Sequence, residues 1–419
     1  MEINNYCKIP GTINILRCRN HVVYLGVINK ATVPVGFHQT NSIFSQAMKY
    51  IKSIIFSVFF LFTISFSVKA QVLNDPSTIK TVQNALDHIY NYEFDEAELV
   101  INQVEKKYPN HPVTLILDSF ILYWKYLPIK DHPAKSKEYI QKLNVCLEAI
   151  NKKFGKNSSD PEAVFYTMVA RGYMAMMYNY RGEMMSAAGE GKKAYNAFSE
   201  GMNLMNKNPE FYFTSGMYNY YVELYPELHP MVKPLMFFFK DGDKALGLKQ
   251  IDTGTRLGVI TKAEACYYLA HIYLKYELKP EKAAVYTERL VGLYPKNPVY
   301  VMRNTEALLS SGNYDGAAKH INTLKRYPNG FFPLALHTFQ GIVFEKDAKN
   351  DSAAQKEYVL ALKTPHDDQY TKEYYAMAYA GLARIANRAG NKAKAKEYYK
   401  KVLEKAEYKS VIREAKGFK

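Results

Sequence analysis

The feature that most constrains this chain is a recurring small residue. Gly247, Ala283, Ala317, Ala353 and Ala395 follow one another at intervals of 36, 34, 36 and 42 residues. In the last of these units Tyr379, Leu382, Ala383 and Ala386 are spaced by three and four, which places them on one helix face. Ala395, Tyr399 and Val402 do the same for a second helix, and Gly390-Asn391 between them ends the first and turns the chain back. Small residues sit where the two helices cross. A Leu at Ala383 or Ala395 would overpack that crossing, at about 1–3 kcal/mol. A single hairpin cannot bury its own apolar face, so a chain that repeats it is expected to stack its pairs into an array.

Tyr379, Leu382, Ala395 and Tyr399 make this unit resemble the tetratricopeptide repeat (TPR). That family's pattern is an aromatic, Leu-Gly and Tyr in the first helix, then Ala, Phe and Pro in the second, with a period of about 34 residues. Ala383 stands in the Gly position, Ala386 in the Tyr position and Glu407 in the Pro position. Upstream, Ala97, Ile101, Val104 and Pro109 reproduce the second-helix spacing, and Pro295, Pro328 and Pro365 close later units. Gly216 takes the close-contact position of a first helix, and Gly247, Ile251 and Gly254 follow in the second. The resemblance covers roughly residues 78–405. It implies an all-α, TPR-like α-solenoid of about eight antiparallel helix pairs, with the polar, basic tail from Glu407 extending or capping the last helix.

Residues 48–70 have a different character. Lys49 and Lys52 precede an apolar run at 54–68, and Val68-Lys69-Ala70 follows it. This is the pattern of a secretory signal peptide, and the run is short for a membrane span, which needs about 20 residues. Residues 1–47 show no clean period and are expected to be a disordered leader or a mis-assigned start, with Met48 the true one. The remainder, 71–419, is the helical-repeat domain. No Cys follows the apolar run, which argues against a lipid anchor. The mature part keeps Cys146 and Cys266, expected as buried free thiols. The expected location is therefore the periplasm or outer envelope, as a soluble protein once the signal is cleaved. The net charge is +15, of which residues 71–419 hold +9. Spread over a long helical chain this reads as a solvated basic surface and not a nucleic-acid site.

Residues 224–243 interrupt the array. Pro226, Pro230 and Pro234 recur every four residues, so this stretch is expected to be an irregular insertion with at most a short helix at 234–240. Met236 and Phe237, Phe238 and Phe239 cannot all face one small core. The insertion either seals its own apolar run or presents it to a partner or a membrane surface. Phe237, Phe238, Phe239, Tyr220 and Tyr221 are the candidate partner-binding residues. Gly242-Asp243, Gly247 and Glu264-Ala265 also resemble a subset of exported bacterial TPR proteins, a likeness that carries no function.

The sequence offers little catalytic chemistry. It has no H-E-x-x-H, G-x-S-x-G, phosphate-binding loop or dinucleotide fingerprint, so no catalytic, metal or cofactor residue is assigned and no cofactor is expected. His366-Asp367-Asp368 has metal-binding chemistry but sits in a loop, where a solvated turn is the simpler reading. The 36 tyrosines stand out, clustered at Tyr218, Tyr220 and Tyr221, at Tyr267 and Tyr268, and at Tyr374 and Tyr375. Adjacent helical residues point about 100° apart, so each cluster reaches both core and surface. Most suit repeat packing; the rest suit a concave groove for a peptide or a glycan. The resemblance implies a non-catalytic scaffold or adaptor that docks a protein or peptide on its concave first-helix surface through tyrosines and Lys/Arg charge. Glycan or nutrient capture beside an outer-membrane transporter is one alternative. The other is an α/α-barrel enzyme, which needs helix pairs closing into a ring with convergent carboxylates.

Overall fold

The computed structural model describes residues 72–228, 230, 231, 233 and 240–418. The leader, the export segment, the 234–239 part of the insertion and Phe237, Phe238 and Phe239 lie outside the described residues. Within them the chain is all helix, in eight consecutive antiparallel pairs and a terminal helix. The pairs are α1 (Pro76–Tyr90) with α2 (Phe94–Lys107), α3 (Pro112–Lys125) with α4 (Pro133–Phe154), α5 (Pro161–Tyr180) with α6 (Met184–Gly201), and α7 (Phe211–Leu228) with α8 (Lys244–Leu257). They continue as α9 (Lys262–Lys275) with α10 (Pro280–Leu293), α11 (Pro298–Ser310) with α12 (Tyr314–Leu324), α13 (Phe332–Lys346) with α14 (Asp351–Lys363), and α15 (Lys372–Arg388) with α16 (Lys392–Lys405). The tail forms its own short helix, α17 (Lys409–Gly417), which buries Val411 and Ala415. The all-α, TPR-like solenoid of eight pairs is thus the fold.

Local chemistry sets the boundaries. Pro76, Pro112, Pro133, Pro161, Pro280 and Pro298 each open a helix, where a missing N–H costs nothing. Asp75, Asp160, Asp243, Asn297, Asn313, Asn350 and Asn391 cap helices through their side-chain oxygens. Gly390, at φ +79°, supplies the left-handed turn between α15 and α16. α7 runs further than the prolines suggest: Pro226 lies in its last turn and the helix continues to Leu228. A proline there breaks a hydrogen bond only at the fraying end, where the loss is least.

The pairs close on small residues. A Cβ added to Gly216 would lie 2.6 Å from the Ile251 backbone nitrogen and 2.7 Å from the Gly247 carbonyl oxygen, so α7 and α8 touch backbone to backbone. Tyr358 of α14 is clamped between Gly341 of α13 and Gly381 of α15, whose added Cβ atoms would come within 2.5 and 2.1 Å of its ring. Cys146 and Cys266 are buried and unpaired.

The array also winds tightly enough that non-adjacent pairs touch. Tyr90, at the end of α1, packs its ring 5.1 Å from Tyr294 and 6.1 Å from Tyr300. The Asn297 side-chain amide donates to the Tyr90 carbonyl at 2.9 Å. Lys130, before α4, pairs with Asp367, before α15. An extended solenoid contacts only its neighbours; here the first pair meets the fifth and sixth. No helix among the described residues is long and apolar enough to cross a membrane.

Candidate functional site

The tight winding gathers the first helices of the middle pairs around one interior. Two adjoining cavities lie there. The smaller, about 280 Å³, is lined by Phe120, Tyr123 and Trp124 of α3, Tyr173, Met176 and Tyr180 of α5, Glu264, Tyr267, Tyr268 and His271 of α9, Tyr300 and Arg303 of α11, and Gln369 and Tyr370 of the loop before α15. The larger, about 550 Å³, is more apolar: Met168, Met176, Phe198, Phe213, Met217 and Tyr218 line it beside Tyr173, Tyr180 and Tyr268. Phe120, Tyr173, Met176, Tyr180, Glu264 and Tyr268 border both, so the two are continuous past Glu264.

Glu264 carries the chemistry of this interior. Tyr90 donates its phenol to Glu264 Oε1 at 2.6 Å. Oε2 is buried with no hydrogen-bond partner. Burial pushes the carboxyl up to about 7, against the stabilising phenols of Tyr90 and Tyr173 and with the nearby Glu210 charge adding to the rise. Two more buried polar atoms on the same lining, His271 Nδ1 and Gln369 Oε1, also have no partner. Native interiors satisfy nearly all such groups with protein or water partners, and three of them share this cavity wall.

The other charged groups are accounted for. Arg303 donates to Glu306 at 2.8 Å and to the hydroxyls of Tyr267, Tyr374 and Tyr408 at 3.0, 3.3 and 3.2 Å. Its guanidinium stacks 5.3 Å above the Tyr267 ring. Burial, reinforced by Arg303 and Lys275, holds His271 well below the usual imidazole range, so it is neutral at physiological pH. Among the described residues Glu264 is the only carboxylate lining the smaller cavity, so the convergent carboxylates of an α/α-barrel enzyme are not what this lining presents.

The tyrosine clusters divide much as the helix geometry requires. Tyr267 and Tyr268 line the cavity, whereas Tyr374 is fully buried and donates to Glu306 at 2.8 Å. Tyr220 is also fully buried, donating to Glu277 at 2.7 Å, and Tyr221 packs edge-on against it. Neither borders the two cavities. In the 366–368 loop Asp367 pairs with Lys130 and accepts the backbone N–H groups of Gln369 and Tyr370, while His366 and Asp368 pair with each other at 2.9 Å. No cluster of His, Cys, Asp and Glu arranged for a metal occurs among the described residues. Sequence reasoning missed Glu264, His271, Arg303 and Gln369. The one signal it held was Glu264-Ala265, singled out only by resemblance.

The fold and interior define a helical-repeat protein of TPR-like architecture with an aromatic-lined internal cavity. No protein-family profile matches the chain, and no curated protein matches its sequence. Among solved structures it is similar to the C-terminal part of a TPR repeat-containing protein from Cytophaga hutchinsonii, at 15% identity and a TM-score of 0.22, over 80% of this chain and 98% of that one.

Proposed function

We propose that the chain is a non-catalytic binding scaffold that docks a protein or peptide partner on its first-helix surface. A group of that partner enters the tyrosine-lined interior. The observation that carries this reading is the convergence of α3, α5, α7, α9 and α11 on one aromatic cavity whose wall holds three unpartnered polar atoms. Tyrosine offers large contact area with a polar tip, at little cost in conformational freedom. The one arginine of the smaller cavity is already paired with Glu306. Export to the periplasm or outer envelope is part of the proposal and rests on the 48–70 segment; mass spectrometry of the native N-terminus tests it.

The docking test uses an arrayed peptide library with the wild-type protein and Gly172→Leu. Gly172 lines the larger cavity and a Cβ there meets nothing within 4 Å, so a Leu is expected to occupy the interior at little packing cost. Peptides that bind the wild type and lose at least tenfold affinity for G172L support the reading. Binding untouched by G172L, or no binding peptide at all, overturns it. Glycan capture is the second reading, favoured by the unpartnered Gln369 Oε1 and His271 Nδ1 among aromatic rings; a glycan array compared with Tyr268→Ala separates the two.

A further inference from the structure

The charges in this interior do not balance. Arg303 is neutralised by Glu306, and His271 is uncharged. Glu264 forms no ion pair with any described lysine, arginine or histidine; the side chains that favour its charge are the neutral phenols of Tyr90 and Tyr173. A buried carboxylate without a counter-ion is costly, and a cation bound beside it removes that cost. The neighbours of Glu264 suit a cation. Tyr173, Tyr268 and Tyr300 line the same cavity as Glu264, and aromatic faces attract ammonium groups. Next to Glu264 the larger cavity turns apolar, with Met168, Met176 and Met217 on its wall. Methionine adapts to apolar chains of varied shape.

We propose that the cavity recognises an ammonium group on an apolar stem, with the ammonium against Glu264 and the stem in the methionine-lined cavity. This rests on the reading of the interior as a binding site and names the group that enters it. A lysine side chain of a docked peptide and a free alkylamine share this chemistry. Binding transfers no atoms except the proton that the neutral form of Glu264 gives up to solvent when the cation takes its place.

Calorimetry with hexylammonium chloride and with 1-hexanol tests the proposal at pH 7.5. The expected result is that the wild type prefers the ammonium at least tenfold. Glu264→Gln, which keeps the shape and the Tyr90 contact, erases the preference, and Glu264→Asp, which keeps the charge, retains it. Acetyl-Gly-Lys-Gly-amide against its norleucine counterpart then separates the sources: a lysine preference supports a peptide-borne ammonium, and hexylammonium binding without it supports a free amine. Equal affinities for hexylammonium and hexanol, a preference unchanged in E264Q, or no uptake of either probe each overturns the ammonium assignment. None of these touches the docking reading, which stands or falls on the peptide array with G172L. Circular dichroism melts confirm that each variant is folded before it is scored.

Discussion

Tyr90 and Glu264, 174 residues apart, share a 2.6 Å hydrogen bond that ties the first helix pair to the fifth. It holds one oxygen of the carboxylate and leaves the other unpartnered. Tyr90→Phe removes the donor and keeps the ring packing against Tyr294 and Trp124. The expected loss is about 1.5–3 kcal/mol of stability at pH 8, where Glu264 is charged, typical of a hydrogen bond to a charged group, read by urea unfolding. The same change raises the Glu264 carboxyl further, because Tyr90 favours its charged form. Carbon-detected NMR titration of the Glu264 side chain follows that shift.

The elevated Glu264 carboxyl makes stability depend on pH. The folded state holds its proton up to about 7, whereas a free glutamate loses it near 4.5. The folded state therefore binds more protons between these values, and stability from this group is full below 4.5 and lost as pH rises through 7. The titratable groups coupled to Glu264 are Tyr90 of α1, Tyr139 of α4, Tyr173 of α5, Glu210 before α7, Tyr268 and Cys266 of α9, Tyr294 just after α10 and Tyr300 of α11. The tyrosines are all raised by burial and stay neutral across that window. The stability difference between wild type and E264Q should fall from pH 4.5 to 7 in a series of urea melts; a flat difference would contradict the assignment. Glu373, also pushed up to about 7 by burial, contributes a slope of the same sign in both proteins and cancels in the comparison.

At the C-terminal end Glu345 is buried among donors. Arg384 grips it with two bonds of 2.7 and 2.8 Å, Arg388 adds one at 3.0 Å and the Tyr358 phenol one at 2.8 Å. Burial works against the charge, yet these partners hold the carboxyl below its usual range. Arg384→Met leaves the carboxylate short of its main partner and is expected to cost about 3–5 kcal/mol. Replacing both Arg384 and Glu345 by Met should recover most of that loss, because no buried charge remains. Denaturant unfolding of the single and double variants measures the coupling.

Two glycines on first helices should respond in opposite ways to alanine. Gly216 faces backbone at 2.6–2.7 Å, so Gly216→Ala forces α7 and α8 apart and is expected to destabilise by about 1–3 kcal/mol. Gly172 has open space around it, so Gly172→Ala gains helix propensity and is expected to stabilise by about 0.5–1 kcal/mol. Thermal melts of the two variants suffice.

Much of this architecture is legible in the residues. Gly216 and Gly247 were readable as a crossing because small residues recur at the repeat interval, and the structure puts them in backbone contact. Gly390-Asn391 was readable as a turn because only special residues adopt its backbone, and Gly390 indeed takes positive φ while Asn391 caps α16. The α7 end was misjudged: counting prolines marks where a helix cannot be continued comfortably, not where its last turn frays. The tail from Glu407 reads as an extension or cap of the last helix but forms a helix of its own, and nothing local shows that Glu407 pairs with Lys275 and Lys372 and pins the tail to α9 and α15.

Helix, cap and pair are written in the sequence because each depends on residues within a few turns of one another, where spacing alone fixes which side chains meet. The interior is not written there. Whether Tyr90 reaches Glu264, or Lys130 reaches Asp367, depends on the small rotation between successive pairs summed over four or more repeats. A few degrees per pair, set by the shape of each crossing, decides between an open superhelix and one whose first pair meets its fifth. That accumulated angle turned Tyr267 and Tyr268 from generic helical tyrosines into the wall of a cavity, and left Glu264 inside it without a counter-charge.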